Sequence, residues 1–322
     1  MIASLRSLVF FAGALSFVLA GVADAQPRVS WMAPAATLTG KALLYASGLG
    51  AVDVYAPYGK DVLPVGQLST ASGVLNPGGV ATDLQGNLWI ADAGYPAGGT
   101  NEVMEFARGR LRPAFVLHQA PLVVPTYVAV DRNGTVFVGD YDYGGNYYVS
   151  EFLKGRYRPF VTLGPFFLMG GLTLDGDGDL YLSSTVLTGT VVTGRILEFT
   201  PGQTHGNDLG ITIAGLPGGL AMTDAGSLLV VNATERTVAT YAPNQMQPSR
   251  TITVPAPEPF AIATGPHGDN IFVGAGGAMN GASAIFQIDY GSGHVVKNIT
   301  AGFPNSAGPG GLAVSPFAPS TR

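Results

Sequence analysis

The chain has 322 residues, 47% of them hydrophobic, with 46 glycines, 23 prolines, no cysteine and only 11% charged residues. That apolar content excludes a disordered chain, and the lack of cysteine excludes both a disulfide scaffold and thiol chemistry. A net charge of −5 leaves no overall basic footprint of the kind that nucleic acid or an anionic membrane would need.

Residues 1–25 read as a cleavable signal peptide. Arg6 supplies the positive start, Leu8 to Ala20 is a largely apolar run, and Ala23-Asp24-Ala25 sets small residues before a cut at Gln26. The run is shorter than the ~18 to 20 residues of a membrane span, and no cysteine follows the cut to take a lipid. The mature chain is therefore expected to be secreted or periplasmic and free of the membrane. Residues 26–40 read as a lead-in, and 41–322 as one domain.

That domain opens with Leu43-Leu44-Tyr45, Val52 to Tyr55 and Val62-Leu63, which read as the second, third and fourth strands of an incomplete unit. Segments 77–92, 125–140, 169–184, 217–232, 259–275 and 309–315 then share one pattern. Their turn-entry residues Asp83, Asp131, Asp175, Thr223, Gly265 and Ser315 recur every 42 to 50 residues. This is the period of a propeller blade and too long for leucine-rich or ankyrin repeats.

Each segment reads as a hairpin: alternating large and small residues, a turn rich in Asp, Gly and Asn, then a β-branched or aromatic run. Alanine holds the small position at 81, 129, 221, 263 and 313, with Thr173 in the remaining unit. Such a residue leaves room for the neighbouring blade where strands converge on an axis. Third strands follow at 103–106, 149–152, 196–199, 238–241 and 285–288, and fourth strands are short runs such as Phe115-Val116-Leu117. The chain closes with Gly311-Leu312-Ala313-Val314, a first strand lacking a second, which complements the unfinished opening unit. The fold class is all-β: six four-stranded antiparallel blades, the ring closed by the C-terminal strand.

Gly79-Val80 through Gly86-Asn87-Leu88-Trp89-Ile90-Ala91-Asp92, and Val231-Asn232-Ala233-Thr234-Glu235-Arg236-Thr237-Val238, resemble the NHL-repeat and TolB-like group of six-bladed propellers. The resemblance covers nearly all of the mature chain. It implies a ligand at the top of the central channel, on loops entering first strands and leaving second strands. Fold alone does not name the activity. More distantly similar gluconolactonase-type hydrolases hold a divalent ion on this rim, but glycines at 78, 170, 218 and 310 offer no such ligands, so no metal or cofactor is expected. No histidine cluster matches the base of streptogramin-inactivating lyases of similar architecture.

The candidate ligand-binding residues lie on that rim. Asp92, Asp140 and Asn232 fall at second-strand ends, where they either bond backbone N–H groups or face a ligand. Glu258 is the one carboxylate in the entering loops. The stretch 141–148, with Tyr141, Asp142 and Tyr143, reads either as a binding loop of tyrosine, glycine and asparagine or as aromatic filling. Tyr127 and Tyr95 are expected beside it. Asp175-Gly176-Asp177-Gly178-Asp179 starts like a calcium loop, but its twelfth position is Val186, so it reads as a hairpin turn. No catalytic residue is assigned. The expected function is a non-catalytic, monomeric binding module for a small molecule, glycan or protein. The alternative is a metal-assisted hydrolase or lyase using Asp92, Asp140 and Glu258.

Overall fold

β-Branched and aromatic residues alternate with small ones and are interrupted by Asp, Gly or Pro, so the chain forms short antiparallel strands. The computed structural model describes residues 29–37, 41–58, 62–94, 99–118, 122–276, 283–303 and 308–316. The signal peptide proposed for residues 1–25 lies outside them.

Six sheets form a ring. Blade 2 comprises Pro77–Thr82, Leu88–Asp92, Glu102–Phe106 and Phe115–Leu117. Blade 3 comprises Pro125–Val130, Val136–Tyr141, Tyr147–Phe152 and Val161–Phe166. Blade 4 comprises Met169–Leu174, Leu180–Thr188, Val191–Phe199 and Asn207–Ala214. Blade 5 comprises Pro217–Met222, Leu228–Asn232, Thr237–Tyr241 and Arg250–Thr253. Blade 6 comprises Glu258–Thr264, Asn270–Gly276, Ala284–Asp289 and Val295–Ile299.

Blade 1 joins the two ends of the chain. Leu44–Gly48, Ala51–Tyr55 and Pro64–Leu68 are its second, third and fourth strands, and Gly311–Val314 is its first. Ala46 pairs with Leu312 and Ser47 with Gly311, as the complementary ends require. Ser315 fastens the join: its N–H donates to the Leu43 carbonyl (2.8 Å), while its Oγ accepts from the Leu43 N–H and Arg108 Nη1 (both 2.9 Å). Trp31–Met32 adds a short outer strand against Pro64–Leu68.

Two elements differ from the sequence reading. The fourth strand of blade 1 begins at Pro64 rather than Val62, because Val62 packs against the hydrophobic cluster between blades 6 and 1. Proline, having no N–H to donate, takes the first strand position instead. The central hairpin of blade 4 runs on to Thr188 and back from Val191, past the ends of its neighbours.

Among the described residues the buried hydrophobics fall into six clusters, each shared by two neighbouring blades. The inner strands show how these interlock. Val80 meets Ala313, Leu172 meets Ala129, Ile262 meets Ala221 and Leu312 meets Ala263. Each inner strand thus turns a large side chain to the preceding blade and a small one to the next.

Near the axis the inner strands approach backbone to backbone. A Cβ on Gly79 would lie 2.8 Å from Tyr127 Cα, and one on Gly171 would lie 2.8 Å from Gly219 Cα. Five inner strands also carry a register irregularity after their first or second residue, as between Pro77 and Val80 or Pro217 and Leu220.

This packing predicts opposite outcomes for two similar substitutions. Gly171→Ala should destabilise the fold by roughly 1 to 3 kcal/mol, since its methyl meets backbone. Gly310→Ala, whose Cβ has nothing nearer than 3.5 Å, should stay within about 0.5 kcal/mol of the parent. Chemical denaturation of the two variants checks this.

Candidate functional site

The same close approach nearly shuts the axis. The axial cavity, lined by Gly79, Tyr127, Gly171, Gly219, Phe260 and Gly311 among others, has a volume of about 70 Å³. That is about half of the ~150 Å³ apolar cavity that takes up a benzene ring. A ligand ring does not fit there, so the rim is the surface available for recognition.

On that rim the second strand of each blade ends opposite the first residue of the inner strand. Register identifies the members of this set as Asp92, Asp140, Ser184, Asn232 and Ala275, while in blade 1 the second strand closes on Gly48, which faces Ala51 of the third strand. Ser47, one residue earlier, pairs with Gly311, and its Oγ donates instead to the Gly78 carbonyl of blade 2.

Asp92 accepts three backbone N–H groups, from Leu75 (2.7 Å), Asn76 and Gly94 (both 2.9 Å). Asp140 does the same for Val123 (2.8 Å to Oδ2) and Val124 (2.8 Å to Oδ1). Both are buried, and each ties the loop entering its blade to the end of the second strand. Burial raises both carboxyl pKa values, that of Asp140 to about 6, against the opposing pull of the N–H donors.

The other polar candidates do not join them. Asn232 Oδ1 accepts the Glu235 N–H (3.0 Å) and its Nδ2 donates to Glu235 Oε2 (3.1 Å), closing a local turn on blade 5. Glu258 is exposed and opens the inner strand of blade 6, paired with Gly276. Tyr95 lies outside the described residues. Asp175 Oδ1 accepts N–H groups from Asp177, Gly178 and Asp179, which makes that acidic stretch a hairpin turn. Among the described residues no three His, Asp or Glu converge as metal ligands.

Blade 3 is different. Tyr141 and Tyr147 pair across its central hairpin with ring centroids 5.1 Å apart. Tyr147 lies 6.5 Å from Tyr127, whose hydroxyl donates to the Met169 carbonyl of blade 4 (2.8 Å). Tyr143 stands 6.1 Å from Tyr141, nearly edge-on, with 59% of its surface exposed. A row of four phenol rings thus runs from the axis to solvent. Burial holds the Tyr127 phenol well above its ordinary range and lifts Tyr147 to about 12, so both remain hydrogen-bond donors at neutral pH. Phe167, next to the Phe166 that pairs with Tyr147, adds another exposed ring.

The loop carrying Tyr143 is a tight turn. Asp142 Oδ1 accepts from Gly144 (2.7 Å) and Asn146 (3.0 Å), and Asn146 Nδ2 donates to Asp142 Oδ2 (3.0 Å). Asp83 and Asn87 make the same bonds in the hairpin turn of blade 2. These bonds hold the Asp142 carboxyl below its ordinary pKa, the Asn146 side chain contributing most. Tyr143 sits at φ 56°, in the left-handed region, where an L side chain costs roughly 1 to 2 kcal/mol. The structure therefore brings Tyr127, Tyr141 and Tyr143 together, with Asp142 as the cap of their turn and Asp140 beneath. It adds Tyr147, which the spacing of Asp142 to Asn146 would have disclosed as the cross-strand partner of Tyr141.

No protein-family model matches the chain, and no curated protein matches it. Solved structures do share its fold. A chain of a nidogen/laminin complex is 16% identical with a TM-score of 0.63, covering 85% of this chain and 98% of that one. A protein of unknown function from Bacteroides caccae is 12% identical with a TM-score of 0.59, covering 85% and 99%. A streptogramin B lyase structure is 15% identical with a TM-score of 0.47, covering 82% and 75%. At these identities the likeness is one of fold: a six-bladed β-propeller.

The buried carboxyls give a signed pH prediction. Folding raises the Asp140 pKa from 3.8 to about 6, so in that window the folded chain keeps a proton the unfolded chain has lost. This contribution is complete below about pH 4 and falls away as pH rises through 6, by on the order of 2 to 3 kcal/mol. Asp92 acts in the same direction. Asp140→Asn should flatten that part of the stability profile, and D92N/D140N should flatten it further, as measured by urea denaturation across acid pH.

Proposed function

We propose that the chain is an exported, non-catalytic binding propeller whose ligand is a neutral glycan held against the tyrosine rim of blade 3. The observation that carries this reading is Tyr143, an exposed ring kept at positive φ at the end of a ladder of packed phenols. Glycine would fit that backbone without strain. The aromatic ring is thus an addition that folding does not call for, and costly backbone of this kind concentrates at binding sites. Flat phenols offer apolar faces to the C–H surface of a sugar ring and hydroxyls to its polar edge. The turn capped by Asp142 holds them rigid before any ligand arrives, which limits the entropy lost on binding.

Asp92 and Asp140 serve this site from behind by fixing the loops that enter blades 2 and 3. The small axial cavity and the three N–H donors on Asp92 speak against chemistry at the channel mouth. The leader at 1–25 would deliver the protein outside the cytoplasm, where glycans are abundant.

Two outcomes are expected. N-terminal sequencing of protein recovered from the periplasm or medium should begin at Gln26. Titration against a panel of neutral oligosaccharides should find a ligand whose affinity drops at least about tenfold in Tyr143→Gly and Tyr141→Ala. Tyr143→Gly should leave folding stability equal or slightly higher. A panel without any binder, or equal affinity in Tyr143→Gly, would refute the assignment.

A further inference from the structure

The loops from third to fourth strands lie on the opposite rim, and three of them share one backbone. In blade 2 the N–H of Arg110 donates to the Ala107 carbonyl (2.9 Å) and that of Ala114 to Glu105 (2.7 Å). In blade 3 the same bonds run from Arg156 to Leu153 (2.9 Å) and from Phe160 to Glu151 (2.7 Å). In blade 5 they run from Gln245 to Ala242 (3.1 Å) and from Ser249 to Thr240 (2.8 Å). The residue before each first donor is left-handed: Gly109 at φ 72°, Gly155 at 69° and Asn244 at 59°.

Matched position by position, the turns read Gly109-Arg110-Leu111-Arg112-Pro113, Gly155-Arg156-Tyr157-Arg158-Pro159 and Asn244-Gln245-Met246-Gln247-Pro248. Blade 5 builds the turn with glutamine at both flanking positions, so the fold does not require arginine there. The middle residues of the other two are anchors. Leu111 packs on the cluster between blades 1 and 2, and Tyr157 stacks on Phe115 of blade 2 with centroids 5.2 Å apart and planes at 29°. That stack places the two turns side by side.

All four arginines are exposed, and among the described residues none forms an ion pair. Tyr157 and Phe160 are exposed between them, at 46% and 65%. In a chain of net charge −5, this is a local reversal of sign. In the hairpin turns of blades 2 and 3 on this rim, Asp83 and Asp131 are half-buried and accept the N–H groups of their own turns, whereas in blades 4 and 5 the carboxylates of Asp177 and Asp224 are exposed. They would repel a broad anionic surface such as a bilayer or a duplex, while a narrow chain crossing only blades 2 and 3 would avoid them.

We propose that these two turns form a second binding surface, distinct from the tyrosine rim, for a polyuronate: a polysaccharide bearing a carboxylate on each of many sugar rings. Guanidinium forks pair with carboxylates in bidentate fashion, which suits arginine at all four matched positions. The exposed rings of Tyr157 and Phe160 meet the sugar faces between the charges.

The test uses the full mature chain and polygalacturonate, with binding followed by calorimetry. The parent should bind at low salt and lose affinity as salt rises. R110Q/R112Q and R156Q/R158Q should each weaken binding at least about tenfold. The quadruple variant should bind no better than it binds uncharged dextran, with its thermal midpoint unchanged because blade 5 already carries glutamine in this frame. Should the quadruple variant not fold, the double variants, each altering one blade, decide the matter. The proposal is overturned if the parent ignores polygalacturonate or if the double variants bind like the parent. Tighter binding to oligothymidylate or to anionic phospholipid vesicles overturns it equally.

Discussion

The structure depends on how closely six backbones approach one axis. Inner strands that come within van der Waals reach of each other have no room for a Cβ where they meet, and the chain answers with Gly78-Gly79, Gly170-Gly171, Gly218-Gly219 and Gly311. Tyr127 and Phe260 interrupt that glycine set, and both line the small axial cavity. The constraint has a chemical consequence. Where glycine is required no side chain can be offered to the axis, and the polar and aromatic groups fall instead on the strand ends and loops around it.

The same geometry explains the buried carboxylates. Loops entering blades 2 and 3 bring N–H groups into a crowded space where no strand partner is available to them. Unpaired donors there would be expensive, and Asp92 and Asp140 supply the acceptors from the strand just behind. Each carboxylate is desolvated in doing so, and the N–H donors only partly offset that, which is why both pKa values rise. A polar residue that looks like a ligand in the sequence thus works as a brace.

Much of this was legible before any coordinates. The alternation of Val80 with Ala81 or Leu312 with Ala313 states which face meets which blade, because a period of two leaves no other arrangement in a ring. The complementary ends required that Gly311–Val314 complete blade 1. What escaped was set by backbone alone. The irregularity after Pro77 or Pro217 shifts register by an amount no side chain announces. The extension of blade 4 to Thr188 and Val191 was hidden because a β-branched hairpin reads alike whether or not neighbours flank it. The row from Tyr127 to Tyr143 required knowing that Asp142 to Asn146 closes a turn, which brings Tyr141 and Tyr147 face to face.

A pseudosymmetric fold carries its own controls. Where two blades build the same backbone from different residues, the shared part belongs to folding and the difference needs another cause. The turn at Asp142, which joins second and third strands, uses the side-chain bonds of the turn at Asp83, which joins first and second, yet places an aromatic residue at positive φ. The turn at Arg156 repeats the bonds of the turn at Gln245, yet replaces two amides with two guanidiniums. In this second pair the backbone bonds are held constant while the exposed side chains change, so stability supplies no reason for the change. The two departures fall on opposite rims but converge on blade 3, whose tyrosines face one side and whose arginines face the other. Blade 3 therefore carries both departures, and the two proposed binding surfaces lie at its two ends.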